Sequence, residues 1–231
     1  MDIAENLRQV RVRVAAACER AGRDPGEVTI VGVAKTFPAA FVVEAVRAGL
    51  ADVGENRVQE AATKVPEVAA AGVRPRWHLV GHLQTNKVKT ALNLFDIIQS
   101  VDSVRLAESI SHHTERPVPV LLEVNVAGEA TKFGFRPQGV AGELKRIAAL
   151  PGLEVQGLMT VAPLADDPEE VRPVFRCLRQ LRDALGLRHL SMGMTDDFEV
   201  AVEEGATIVR IGRAIFGPRT ANWEWARPET E

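Results

Sequence analysis

The chemistry most readily read from this chain is that of an amine at the end of a strand. The run Val28-Thr29-Ile30-Val31-Gly32-Val33-Ala34 is short, apolar and β-branched, and Lys35 follows it. Alternate side chains of a strand share a face, so Val31 and Val33 carry Lys35 with them. If that face is interior, burial depresses the amine's pKa and leaves a neutral nucleophile for Schiff-base formation with an aldehyde. A lysine that runs its stem along a strand end to reach water fits the same spacing. The run Ile208-Val209-Arg210-Ile211-Gly212 poses the same question for Arg210. With Ile208, Arg210 and Gly212 turned inward, a permanent charge is buried and needs a partner. With Val209 and Ile211 inward, Arg210 lies outside.

A further group of residues suggests anion chemistry. Ser191-Met192-Gly193-Met194-Thr195 and Gly212-Arg213 close two successive apolar runs. Their glycines allow close backbone approach, Ser191 offers a hydroxyl and Arg213 a charge. A phosphate corner made of loop amides needs these features, although two ordinary turns would also place glycines there. In Gly54-Glu55-Asn56-Arg57, Asn56 either lines a site or, like Glu55, caps the next helix. His78 and His82 are four apart but on a strand and a turn, not one helix face, so no metal site is expected. Lys132 reads as a loop lysine and as a candidate second, looser ligand contact. Cys18 and Cys177 fall on helix stripes and are expected in the core, with no disulfide framework.

These residues must be positioned by regular elements. Ile3, Leu7, Val10, Val14, Cys18 and Ala21 recur at spacings of three and four, which predicts a first helix with Gly22 as its C-terminal cap. Helix periodicity returns at Phe41, Ala45, Val46 and Leu50. After the first strand, others are expected at 52–54, 77–80, 96–100, 118–126, 154–159, 189–191 and 207–211. Amphipathic stretches lie at 58–71, 104–114, 139–150, 169–185 and 197–204. Short strands that are apolar on both faces and alternate with helices predict an α/β fold, a (β/α)8 TIM barrel, here with an extra N-terminal helix. A doubly wound sheet would carry a glycine-rich fingerprint where this chain has Ala34-Lys35-Thr36-Phe37-Pro38. Residues 1–231 are read as a single domain, with 222–231 a loose tail.

Composition narrows the function. Hydrophobic residues make up 46% and charged residues 26% of the 231, and the net charge is 28 − 31 = −3. No basic excess supports nucleic-acid binding. The chain opens on Met1-Asp2-Ile3-Ala4-Glu5-Asn6, and no run of about 18 apolar residues follows, so a cytoplasmic protein away from membranes is expected. Nothing in the pattern demands a second copy, so a monomer is expected. Tyr is absent altogether. A strand-end lysine, a phosphate corner and an interior arginine together suit a phosphorylated aldehyde with a ring nitrogen, which describes pyridoxal 5′-phosphate.

The sequence resembles the pyridoxal-phosphate homeostasis proteins, single-barrel relatives of alanine racemase, over about residues 28–219. The resemblance is carried by Val33-Ala34-Lys35-Thr36-Phe37-Pro38, by Gly54-Glu55-Asn56-Arg57-Val58-Gln59-Glu60 and by Trp77-His78-Leu79-Val80-Gly81-His82-Leu83-Gln84-Thr85-Asn86-Lys87. It continues in Gly157-Leu158-Met159, Ser191-Met192-Gly193-Met194-Thr195-Asp196-Asp197 and Arg210-Ile211-Gly212-Arg213-Ala214-Ile215-Phe216-Gly217. It implies a barrel like the N-terminal domain of alanine racemase. It implies Lys35 as the internal-aldimine lysine and Arg210 facing the pyridine nitrogen. It implies Ser191, Gly193, Gly212 and Arg213 as the phosphate cup, with Asn56 lining the cofactor. Ala34 stands where many members have Ser. Arg213 stands where many have Ser or Thr, which leaves the phosphate to the backbone amide and the guanidinium charge.

The family's implied role is vitamin B6 and amino-acid homeostasis, with no robust catalytic activity. Physical chemistry points the same way. An arginine at the ring nitrogen does not protonate it, so the electron sink is weak. Alanine racemase is understood to use a tyrosine from a second domain, and this chain has no Tyr. Buffering the cofactor, or delivering it to apo forms of pyridoxal-phosphate enzymes, is the first expectation. A weak racemase or transaminase using another acid such as His82 is the second, and an aldolase using Lys35 on a sugar phosphate is a third.

Overall fold

The computed structural model describes residues 2–218. Eight parallel strands close a barrel in simple sequential order. They are β1 (Thr29–Val33), β2 (Asp52–Glu55), β3 (Arg76–Leu79), β4 (Ile97–Val101), β5 (Val118–Glu123), β6 (Leu153–Met159), β7 (His189–Ser191) and β8 (Ile208–Ile211). The helices are α1 (Ile3–Arg20), α2 (Ala39–Arg47), α3 (Val58–Ala70), α4 (Val88–Leu94), α5 (Val104–His113), α6 (Val140–Ala148), α7 (Arg172–Ala184), α8 (Phe198–Glu203) and α9 (Arg213–Phe216). The expected (β/α)8 architecture is therefore present, with its extra first helix.

That helix has a structural reason. Among the described residues, the segment after β8 forms only the four residues of α9, too few to cover the strand. α1 fills the gap, packing against α2, α8 and α9. Asn6 Nδ2 donates to Ile215 O at 2.9 Å, and Arg13 and Arg20 pair with Glu199 and Glu203 of α8. Asp2 caps the start of α1 through the Glu5 amide. At its end Gly22 takes φ +64°, and the Arg23 amide reaches Cys18 O, which closes the helix with the left-handed residue this turn requires.

Several local expectations need correction. The segment 118–126 ends as a strand at Glu123, and beyond it only Val124 pairs in isolation, with Phe135. The 169–185 stretch begins as a 3-10 turn at Pro168–Val171 before α7. Short α4 had no sequence signal of its own. Cys18 is buried, but Cys177 is only half-buried. α7 turns Phe175 and Leu178 inward, and Cys177 lies about 200° around the helix from Phe175. The expected tail, 222–231, lies outside the described residues.

Strand alternation divides the core. Outward residues such as Val53, Leu79, Ile98 and Val209 pack under the helices in one large cluster. Inward Val31, Leu121, Met159 and Ile208 form a small separate cluster inside the barrel. The same alternation turns Val33 and Arg210 toward the interior.

Candidate functional site

Lys35 sits half-buried in the turn that leaves β1. Thr36, next to it, has φ +69°. A β-branched residue in that region is strained, and such strain persists only where surrounding contacts hold it. Those contacts come from α3. The Thr36 amide donates to Glu60 Oε2 at 3.1 Å. Lys64 Nζ donates to Ala34 O at 2.8 Å and to Glu55 Oε1 at 2.5 Å. Glu55, at the end of β2, is wholly buried, and its Oε2 has no partner. Burial pushes its carboxyl up to about 7, with the Lys64 ammonium opposing the rise.

Arg210, on β8, is buried at 4% exposure. The register sets β1 beside β8, with Val31 opposite Arg210, so the turn that carries Lys35 leaves the strand next to that of Arg210. Arg210 Nη1 donates to Ser191 Oγ at 2.6 Å and Nη2 to Thr160 O at 2.7 Å. Burial pushes its pKa down to about 10, with Asp197 and Glu123 opposing the shift. Of the five N–H donors a guanidinium carries, two are engaged in these bonds.

Ser191 is fully buried, and its hydroxyl donates to Gln99 Oε1 at 2.6 Å. The hydroxyl expected at the phosphate corner is thus committed inside the barrel, to Gln99 and Arg210. The rest of that corner does gather at the ends of β7 and β8. Gly193 has φ +91°, and a Cβ there would lie 2.5 Å from Ala201 Cβ and 2.9 Å from Phe198 Cα, so no other residue fits. Gly212 caps α9. Arg213 is exposed and pairs with Asp196.

Across the mouth, Asn56 is half-buried after β2, and its carbonyl lies where a Cβ on Gly81 would be. His82 Nδ1 is 2.8 Å from Asp102 Oδ2, and the His82 ring stacks on Phe133 at 3.8 Å between centroids. Phe133 belongs to the loop between β5 and α6, which is tied together by Asn125 Nδ2 donating to Glu129 O and Lys132 O. Lys132 pairs with Glu129 at 2.6 Å. Glu123 lies among these groups. Burial, with Asp102 nearby, raises its pKa, against the pull of Arg210, His82 and Lys132.

His78 and His82 part company. His78 is buried in the barrel interior, while His82 stands at the mouth. Among the described residues no three His, Cys, Asp or Glu side chains are grouped as metal ligands. Sequence reasoning missed Asp52, Gln99 and Glu123 as interior residues. Alternation on short strands was their only signal, and it does not say which polar residue reaches which.

The residues fit a phosphorylated aldehyde that carries a ring nitrogen: an amine in the turn after β1, a buried guanidinium with donors to spare, and a corner at the ends of β7 and β8 where Arg213 brings a charge. Residues 4–220 match the family described as the alanine racemase N-terminal domain. An alanine racemase from Corynebacterium glutamicum superposes with a TM-score of 0.70 at 20% identity, covering 97% of this chain and 64% of its own, a likeness of fold. A pyridoxal phosphate homeostasis protein of Aquifex aeolicus is 45% identical over 228 residues, covering 95% of this chain and 99% of its own. The PipY structure from Synechococcus elongatus with pyridoxal phosphate bound is 35% identical, with a TM-score of 0.81, and the match covers 93% of this chain and all of that one (100%). The chain belongs to the alanine racemase N-terminal domain family, among the pyridoxal phosphate homeostasis proteins.

Proposed function

We propose that this protein binds pyridoxal 5′-phosphate at the barrel mouth, as a Schiff base on Lys35, and buffers or delivers it in vitamin B6 and amino-acid homeostasis. The observation that carries this reading is buried Arg210 on β8 beside β1, the strand that leads into Lys35, in a chain 35% identical to a structure with pyridoxal phosphate bound. The Lys35 amine condenses with the aldehyde carbon, forming C=N and releasing one water. Gly193, Gly212 and Arg213 hold the phosphate through backbone amides and charge, Asn56 lines the cofactor, and Arg210 donates to the ring nitrogen. Ser191 belongs to the site through Arg210 rather than as a direct phosphate donor. When bound, the cofactor supplies an aldehyde and an electron sink.

Arg210 argues for a carrier. Even lowered to about 10, its pKa keeps the proton on the guanidinium at neutral pH, so the ring nitrogen stays unprotonated and the sink weak. The protein acts as a single-domain cytoplasmic monomer on the cofactor and on apo forms of pyridoxal-phosphate enzymes, with no nucleic acid or membrane. No described helix is long and apolar enough to cross a membrane.

The first test is the absorbance of purified protein after loading. A band near ~420 nm, lost on borohydride reduction with the added mass on Lys35, is expected. A protein that stays colourless overturns the reading. The second reading is a weak racemase or transaminase, favoured by the His82–Asp102 pair and Glu123 at the mouth. Loaded protein in deuterated water with each L-amino acid should show no α-proton exchange by NMR. Exchange abolished by Lys35→Ala would make it an enzyme instead.

A further inference from the structure

A continuous polar chain crosses the barrel interior. Arg210 Nη1 donates to Ser191 Oγ at 2.6 Å, and Ser191 Oγ donates to Gln99 Oε1 at 2.6 Å. Gln99 Nε2 lies 2.8 Å from His78 Nδ1, and His78 Nε2 lies 2.9 Å from Asp52 Oδ1. All five residues are at most 5% exposed. They come from β8, β7, β4, β3 and β2, so the chain joins the two sides of the barrel. At its far end Arg76, which is largely exposed, also reaches Asp52 Oδ1, at 2.9 Å.

The direction of every bond in this chain is forced. A guanidinium only donates, so Ser191 Oγ must accept from it and spend its single proton on Gln99. Gln99 then presents its carbonyl oxygen to Ser191 and its NH2 to His78, so His78 Nδ1 must accept. That leaves the imidazole proton on Nε2, where it donates to Asp52. A carboxylate only accepts, so the far end demands the same direction. A proton on Nδ1 of His78 would set donor against donor and turn Gln99 over, which would deprive Ser191 of its acceptor.

We infer that Asp52, His78, Gln99 and Ser191 are positioning residues that hold the Arg210 guanidinium in one orientation toward the cofactor's ring nitrogen. This rests on the reading of Arg210 given above. The relay ends on the Asp52 carboxyl, at the opposite end of the chain from the guanidinium, and each member's donors and acceptors are set by its neighbours. An interior filled with aliphatic side chains would pack the barrel without these partners to hold Arg210. The consequence lies in the cofactor's electronic state and its rate of release, which follow how well the ring nitrogen is held.

The test has an arm that needs no cofactor. Nitrogen-15 imidazole shifts of the unloaded protein should show His78 as the Nε2–H tautomer. The opposite tautomer, or an average of the two, overturns the relay. In the second arm Gln99→Met cuts the chain with a side chain of similar size. Loaded Gln99→Met should still carry the borohydride-fixed mass on Lys35, release cofactor about tenfold faster, and shift the pH midpoint of its visible band by about one unit. In an Arg210→Gln background the same cut should change neither quantity further. An equal change in both backgrounds, or none in either, overturns the inference. Absence of the Lys35 adduct in the unsubstituted protein would instead sink the cofactor reading and leave the tautomer result standing.

Discussion

The outside and the inside of the barrel wall are built by opposite rules. Outward, Val53, Leu79, Ile98, Leu158, Leu190 and Val209 are all fully buried beneath the helices and continuous with one large apolar core. Inward, only Val31, Leu121, Met159 and Ile208 form an apolar cluster. Asp52, His78, Gln99, Ser191 and Arg210 share the interior with it as a bonded chain. Aliphatic layers fill such interiors elsewhere at lower desolvation cost. The difference separates two tasks: the outer layer supplies stability, and the inner one holds a charged group at one height in the barrel.

Substitutions should separate the tasks. The largest effect on stability is expected from Phe198→Ala in the outer layer. Phe198 is fully buried on α8, under the Arg13 guanidinium of α1 at 4.5 Å. Its loss should cost about 3–5 kcal/mol by denaturant titration, while the visible band of loaded protein stays in place below the transition. A shifted band would mean that the outer layer also tunes the site. Ser191→Ala, on the inside, should cost less, about 1–3 kcal/mol, because it strands the Gln99 carbonyl and one Arg210 donor. Unlike Phe198→Ala, it should move the band and weaken cofactor retention. If both variants lose stability alone, the division fails.

Glu55 is the exception on the outer side, and it sharpens the contrast. It points out of the barrel into the helix layer, yet it is ionisable, and through Lys64 it braces the carbonyl just before Lys35. Burial raises its carboxyl from 4.5 to about 7. The folded protein therefore holds that proton more tightly than the unfolded chain does. Its contribution to stability is full below about pH 4.5 and is lost as pH rises through about 7. Glu123 and Asp197, also raised by burial, act in the same direction. The melting temperature should fall by a few degrees between about pH 6 and pH 8. Glu55→Gln should flatten the part of that slope due to Glu55, and an unchanged slope would remove Glu55 as its source.

Much of the outer layer was legible in the sequence, and little of the inner one. Runs such as Val28–Ala34 and the stripe Ile3, Leu7, Val10, Val14 announce burial through hydrophobic period alone, and the barrel follows from their alternation. That Arg210 shares a face with Ile208 was readable, but whether that face or the one with Val209 and Ile211 turns inward was left open. What Arg210 touches was not readable. Gln99 and Asp52 lie 111 and 158 positions away from it in sequence (210 − 99 and 210 − 52), and nothing local to either says that both belong to one chain across the barrel. Ser191 shows the same limit. Its place at a strand end suggested a hydroxyl at the mouth, but closure of the barrel brings that hydroxyl to Gln99. α4 was missed because its seven residues are too few to show a stripe.

The smallest expected effect lies on the rim, where neither rule applies. Arg213 and Asp196 are side by side and largely exposed, at 57% and 66%. An exposed pair adds little to stability, so Asp196→Asn should leave the melting temperature within about 1 °C. It should still change binding. Under the proposed reading of this corner, the Asp196 carboxylate competes with an incoming phosphate for the Arg213 guanidinium. Removing that charge should raise cofactor affinity by about two- to fivefold at low ionic strength. The gain should vanish toward about 1 M salt, where the screening length falls to about 3 Å. A gain that persists at high salt would point to a direct, desolvated contact rather than a field at the rim. No gain at any salt would leave the corner to its backbone amides alone and set Arg213 aside as a bystander.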